Sequence, residues 1–102
     1  MIYNYQGHYS FNQKTVSDWN SRITGVYYCG YQVQNGNLFP LYIGRAVGDG
    51  GIRGRLLQHL AENKWPDIFI FGYTQCSTPQ EAMSLEEQEI AKYKPKYNIQ
   101  GK

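Results

Sequence analysis

Gly25-Val26-Tyr27-Tyr28-Cys29-Gly30-Tyr31-Gln32-Val33, then Asn35-Gly36, then Leu38-Phe39-Pro40-Leu41-Tyr42-Ile43-Gly44: these three pieces decide the fold. The first is β-branched and aromatic, the composition that packs best on a pleated, half-buried surface. The dipeptide is a strong short hairpin signal, because Asn and Gly tolerate the positive φ angles of a tight turn. The third piece reads as the return strand. Pro40 has no N–H to give to a ladder, so its part of the strand belongs at an edge or a bulge.

Outward from the hairpin, Gly48-Asp49-Gly50-Gly51 is a loop. Ile52, Leu56 and Leu60 recur four apart with Leu57 beside them, which predicts a helix over 52–63. Trp65-Pro66 is expected to end it, since a residue before proline is pushed out of the α region. Ile68-Phe69-Ile70-Phe71-Gly72-Tyr73-Thr74 is a nearly continuous apolar run of strand length, as a central strand requires. Thr78-Pro79-Gln80-Glu81 combines an N-cap, proline at the first helical position and Glu three residues after the cap. The helix it opens runs to about Tyr93 and stops before Pro95. Residues 1–24 are polar and aromatic without clean periodicity, with Thr15 or Ser17 as candidate caps for a short helix around Asp18-Trp19-Asn20. The expected class is α/β: a small, mainly antiparallel three-stranded sheet flanked by helices. Its order is strand, strand, helix, strand, helix over 25–102, with 1–24 an extension packing on the domain.

At 102 residues there is room for one domain. With 41% hydrophobic and 18% charged residues, the chain is too apolar and too weakly charged for disorder. No apolar stretch approaches the roughly 20 residues of a bilayer span, and the start lacks the basic and apolar regions of a signal peptide. A cytoplasmic protein with no membrane partner is expected, with Cys29 and Cys76 reduced and buried in strands. Ten tyrosines hint at a surface that stacks or hydrogen-bonds through phenols. The net charge of +2 says little alone, but Arg45, Arg53 and Arg55 fall close together, and Lys92, Lys94 and Lys96 alternate.

Some polar residues project where apolar ones belong. In the last helix, Ala82, Met83, Leu85, Ile90 and Tyr93 define an apolar direction that falls close to Glu86, with Glu89 nearby and Glu87 to one side. A carboxylate there must be paired, protonated or bound to a cation. A salt bridge to an arginine of a neighbouring element satisfies it, and so does work as a metal ligand or general base. Arg55 and His59, four apart, share a stripe of the earlier helix. Asp49 lies in a loop and Asp67 just before a strand. No second acidic cluster joins Glu86, which favours one metal ion over two.

Gly25-Val26-Tyr27 and Tyr42-Ile43-Gly44 on the arms of one hairpin, then Arg55 with His59, then Glu86, then Lys94-Pro95-Lys96-Tyr97-Asn98 resemble the GIY-YIG nuclease superfamily over residues 25–98. The closing stretch is similar to the end of the nuclease domain in its excision-repair endonucleases. The resemblance implies hydrolysis of DNA phosphodiesters with one divalent cation, Mg²⁺ or Mn²⁺, held by Glu86, with RNA not excluded as substrate. It implies that Arg55 neutralises charge on the phosphate oxygens, that Tyr27 activates water and that Tyr42 hydrogen-bonds the phosphate or the water. His59 is then the alternative base or a phosphate contact. Arg45 contacts the backbone and Asn98 buttresses the site at the substrate, where Lys94 and Lys96 also bind. The glycine loop before Arg55 leaves Arg53 as its rival, and Arg55 is preferred because His59 keeps the register. With no separate DNA-binding domain after Asn98, a homodimer or a targeting partner is expected to supply selectivity. The alternative is a catalytically weak nucleic-acid-binding module on the same fold, with tyrosines as stacking platforms. A phosphorylated-metabolite enzyme is disfavoured, because the glycine loop lacks the Lys-Ser/Thr of a phosphate loop.

Overall fold

The computed structural model describes residues 1–19 and 22–100. Its centre is the hairpin of β2 (Gly25–Gln32) and β3 (Leu38–Ala46), paired antiparallel from Gly25 opposite Ala46 to Gln32 opposite Leu38. The connection is longer than the dipeptide signal suggested. Gly36 donates to the Val33 carbonyl and Val33 to the Asn37 carbonyl, with Gly36 at φ 89°. Pro40 lies beside a register shift, where Cys29 pairs with Tyr42 but Gly30 with Pro40, and β3 is an edge strand. Proline's missing N–H is tolerated for both reasons.

The sheet has four strands, not three, in the order β1 (Gln6–Ser10), β4 (Ile70–Gln75), β2, β3. β4 is interior, antiparallel to β2 on one side and to β1 on the other. The added strand comes from the N-terminal segment. Gln6-Gly7-His8-Tyr9-Ser10 is exposed except for a half-buried His8, so it carries no alternation to read. Its order comes from pairing with β4. The same segment forms α1 (Gln13–Asp18), capped by Asn12, whose side chain accepts from the Thr15 N–H. Neither Thr15 nor Ser17 is the cap, because the helix starts earlier than its apolar residues indicate.

Successive side chains of β2 point to opposite faces, and each face has its own core. Tyr27 and Cys29 join Leu41, Phe71, Val16 and the inward residues Ile52 and Leu56 of α2 (Gly51–Glu62). Val26, Tyr28 and Ile43 pack against Leu85 and Ile90 of α3 (Pro79–Tyr93). α2 ends sooner than the Trp65-Pro66 signal requires, because Asn63 takes the left-handed conformation, φ 51°, and donates to the His59 carbonyl. α3 opens with a complete capping box between Thr78 and Glu81. Beyond Lys94, also left-handed, Pro95 is buried and a short α4 (Lys96–Gln100) follows. Met83 and Tyr93 are exposed, so the inward face of α3 is narrower than the apolar residues alone imply, centring on Ala82, Leu85 and Ile90. Cys29 and Cys76 are free and buried. No helix among the described residues is long and apolar enough to cross a membrane.

Candidate functional site

Tyr27 is fully buried at the middle of β2, opposite Gly44 on β3. Its ring crosses that glycine so closely that a Cβ at Gly44 would stand 2.5 Å from the phenol oxygen. The glycine of Tyr42-Ile43-Gly44 is thus required by a side chain on the other arm of the hairpin.

The Tyr27 phenol lies 2.9 Å from Nε2 of His59 on α2. The other ring nitrogen, Nδ1, lies 3.6 Å from the Glu62 carboxylate, one turn on along the same helix. With the Nδ1 proton turned toward Glu62, Nε2 carries the lone pair and Tyr27 donates to it. Burial lowers the His59 pKa below its ordinary value, and Arg55 adds to that, while Glu62 opposes it. The imidazole is therefore neutral at pH 7. Burial raises the Tyr27 pKa, helped by Tyr42 and Cys29; Arg55, beside the phenol, lowers it but does not win. Tyr27 is a neutral phenol at pH 7, and of the pair only His59, through the Nε2 that accepts from Tyr27, is basic enough to take a proton.

Tyr42, half-buried, completes the cluster. Its ring is 6.1 Å from that of Tyr27 and 5.2 Å, edge-on, from that of His59. Its pKa is raised, chiefly by burial, with Arg55 lowering it and Glu86 raising it. Trp65 closes the far side, its ring 4.4 Å from His59 and 4.8 Å from Tyr42, with Tyr97 stacked beyond it at 5.9 Å. Arg55 is exposed and donates to the neighbouring Gln58 side chain. Tyr27, Tyr42, Arg55 and His59 thus come together.

Glu86 on α3 is turned inward, with 16% of its side chain exposed, and pairs with Arg45 on β3 at 2.7 Å. Of the ways to satisfy an inward carboxylate, the ion pair is the one the structure shows. Its partner is itself a candidate substrate contact.

The other candidates spend their polar groups outside the tyrosine–histidine cluster or face solvent. Arg53 donates to the Ser17 carbonyl and ties α2 to α1. Asn98 accepts from the Ile43 N–H and donates to the Ile43 carbonyl, both at 2.8 Å, so its amide completes the open edge of β3 next to Tyr42. Both hydrogen-bonding groups of Asn98 are spent on the protein's own backbone. Lys96 is paired with Asp67, which also accepts from Tyr97. Lys94 is exposed at the C-cap of α3.

Two members of the cluster went unread in the sequence. Glu62, three residues after His59 on one helix, had a usable signal in that spacing. Trp65 had none, because it lies past the end of α2 and only the folded loop brings it over the imidazole. Among the described residues, no group of three or more His, Cys, Asp or Glu side chains is arranged to hold a metal ion. Set against protein-family models, the curated proteins and the solved structures, the chain matches none of them.

Proposed function

We propose that this chain is an endonuclease that hydrolyses DNA phosphodiester bonds with one divalent cation, in the manner its resemblance to GIY-YIG nucleases implies. The observation that carries the reading is the Tyr27–His59 hydrogen bond with Arg55 beside it. This is a proton acceptor, a proton carrier and a cation side by side, supplied by β2 and α2, with Tyr27 buried and Arg55 reaching solvent.

Glu86 is the single hard carboxylate that would hold Mg²⁺ or Mn²⁺, and it is paired with Arg45. Mg²⁺ is usually held by one or two carboxylates, with waters and substrate phosphates filling the remaining positions. Held by Glu86, such a cation would offset the negative charge on the leaving oxygen of the scissile phosphate. Arg45 is the group to be moved. Arg45 holds that carboxylate, so Glu86 would be open to an ion only with the guanidinium drawn onto a phosphate. Arg55 faces the non-bridging oxygens and offsets the charge that grows on them. Tyr27 is buried in the free protein, so substrate entry has to uncover its phenol before it orients the attacking water; it then passes its phenolic proton to Nε2 of His59 as it takes one from the water, and no phenolate accumulates. Glu62 holds the imidazole in the accepting tautomer. Asn98 acts through the backbone, fixing the strand that carries Tyr42.

A second reading has an observation of its own. The Arg45–Glu86 pair satisfies both charges without any ion, as suits a module that only binds nucleic acid. Incubating the protein with supercoiled, linear, branched and single-stranded DNA, and with RNA, in Mg²⁺ and then in chelator separates the two. The nuclease reading expects cleavage that chelator stops. Salt-sensitive binding with no cleavage of any substrate supports the module. Gel filtration with and without DNA tests the further expectation of a homodimer.

A further inference from the structure

A cavity of about 370 Å³ opens on the sheet face opposite Tyr27, between the N-terminal segment, the β2–β3 turn and α3. Its floor is Tyr28, which points away from Tyr27 as alternation along β2 requires. Tyr5 stands over it, the two rings 5.5 Å apart and inclined at 73°, so that they form a corner rather than a parallel stack. Gly72 permits this, since any Cβ there would collide with the Tyr5 ring. Tyr93 lines another side.

The polar groups have a consistent sense. Glu89 of α3 lines the cavity and accepts from the Tyr28 hydroxyl at 2.7 Å, which fixes its carboxylate at the aromatic corner. His8 also lines it, with Nε2 2.7 Å from the Gly36 carbonyl and Nδ1 3.1 Å from the Tyr5 hydroxyl. With Nε2–H donating to that carbonyl, Nδ1 accepts from Tyr5, so both nitrogens are occupied. No lysine or arginine lines the cavity, and no ion pair among the described residues uses Glu89.

We propose that this cavity is a binding site for an organic ammonium group, an alkylated amine seated against the Tyr5–Tyr28 corner with its charge facing Glu89. Aromatic faces attract cations through the ring quadrupole, and the attraction strengthens as water is excluded. Two rings near right angles enclose a compact, rounded cation. A flat nucleobase instead needs parallel walls, which the 73° corner does not provide. The contact already occurs at the rim, where the Lys92 ammonium sits 4.9 Å from the centroid of the Tyr93 ring. The volume is at the small end of the range for ligand sites, which suits a headgroup or side-chain terminus rather than a large cofactor. The site is independent of the proposed cleavage chemistry, because its residues lie on the other face of the sheet.

The test is a titration of the protein with choline chloride, followed by aromatic-ring NMR against the same concentrations of sodium chloride. Saturable shifts at Tyr5 and Tyr28 are expected. They should weaken by about fivefold or more in Glu89→Gln, which keeps the hydrogen-bonding shape and removes the charge. Tyr5→Leu should weaken them as well, while DNA cleavage by both variants stays at the wild-type rate. The proposal is overturned by shifts no larger than those from sodium chloride, by binding unchanged in a folded Glu89→Gln protein, or by equal binding of the neutral isostere 3,3-dimethylbutan-1-ol.

Discussion

Gly44 is glycine because of the tyrosine across from it. Replacing it with alanine puts a methyl group 2.5 Å from the Tyr27 phenol oxygen, in a place where the buried ring has no room to retreat. Gly44→Ala should cost about 1–3 kcal/mol in denaturant unfolding and should break the Tyr27–His59 bond, visible as a changed tyrosine ring spectrum. An unchanged midpoint would contradict the packing described. His59 gives a prediction in pH. Burial and Arg55 both disfavour its charged form, so its folded pKa lies below the ordinary 6.5. The lone pair on Nε2 therefore survives as pH falls through 6.5 and is lost only lower down. The acid limb of the cleavage rate is expected below pH 6.5 and should vanish in His59→Gln; a limb centred above pH 7 would exclude His59 as the base. The two arginines separate in the same assay. Arg55→Ala should lower the rate about a hundredfold or more with the fold intact, while Arg53→Ala, which loses its tie to Ser17, should lower stability more than rate. Arg55 and His59 were legible as one stripe of a helix and Glu86 as an inward carboxylate, while their roles came only from the family resemblance. The identity of Glu86's partner was not, because Arg45 reaches it from a strand 41 residues away.

At the scale of elements, what local chemistry specifies was readable, and what pairing alone specifies was not. The capping box at Thr78 carries its own hydrogen-bond logic within four residues, and the hairpin arms carry their composition. β1 does not: its polar, exposed residues become a strand only because β4 offers an edge. α4 was hidden for a related reason, since Pro95 reads as a stop and says nothing of the turn that follows. That turn matters to the site through Asn98, which meets the Ile43 N–H and carbonyl as a neighbouring strand would. Asn98→Ala leaves both groups at an open edge and should cost about 1–3 kcal/mol. The Ile43 amide should then exchange with deuterium much faster than in the wild type, while amides in the middle of β4 stay protected. Equal protection of Ile43 in both proteins would remove Asn98 from that role.

Taken whole, the molecule sets two groups of aromatic and titratable side chains on the two faces of one sheet. The face that carries Tyr27 gathers Tyr42, His59, Arg55 and Trp65 over the α1–α2 core, and the other carries Tyr28, Glu89 and the aromatic corner under α3. Alternation along β2 makes this division inevitable, since Tyr27 and Tyr28 are neighbours in sequence and cannot share a side. Glu86 and Arg45 sit where α3 meets the β3 edge, close enough for the carboxylate to raise the pKa of Tyr42. Whether that carboxylate serves an ion or only Arg45 decides the account. The most direct measurement is nicking of supercoiled plasmid in Mg²⁺ by the wild type and by Glu86→Gln, with DNA affinity measured on the same two proteins. Cleavage that chelator abolishes and that Glu86→Gln loses, with affinity for DNA retained, is the expected result. Cleavage at the wild-type rate by Glu86→Gln would contradict it.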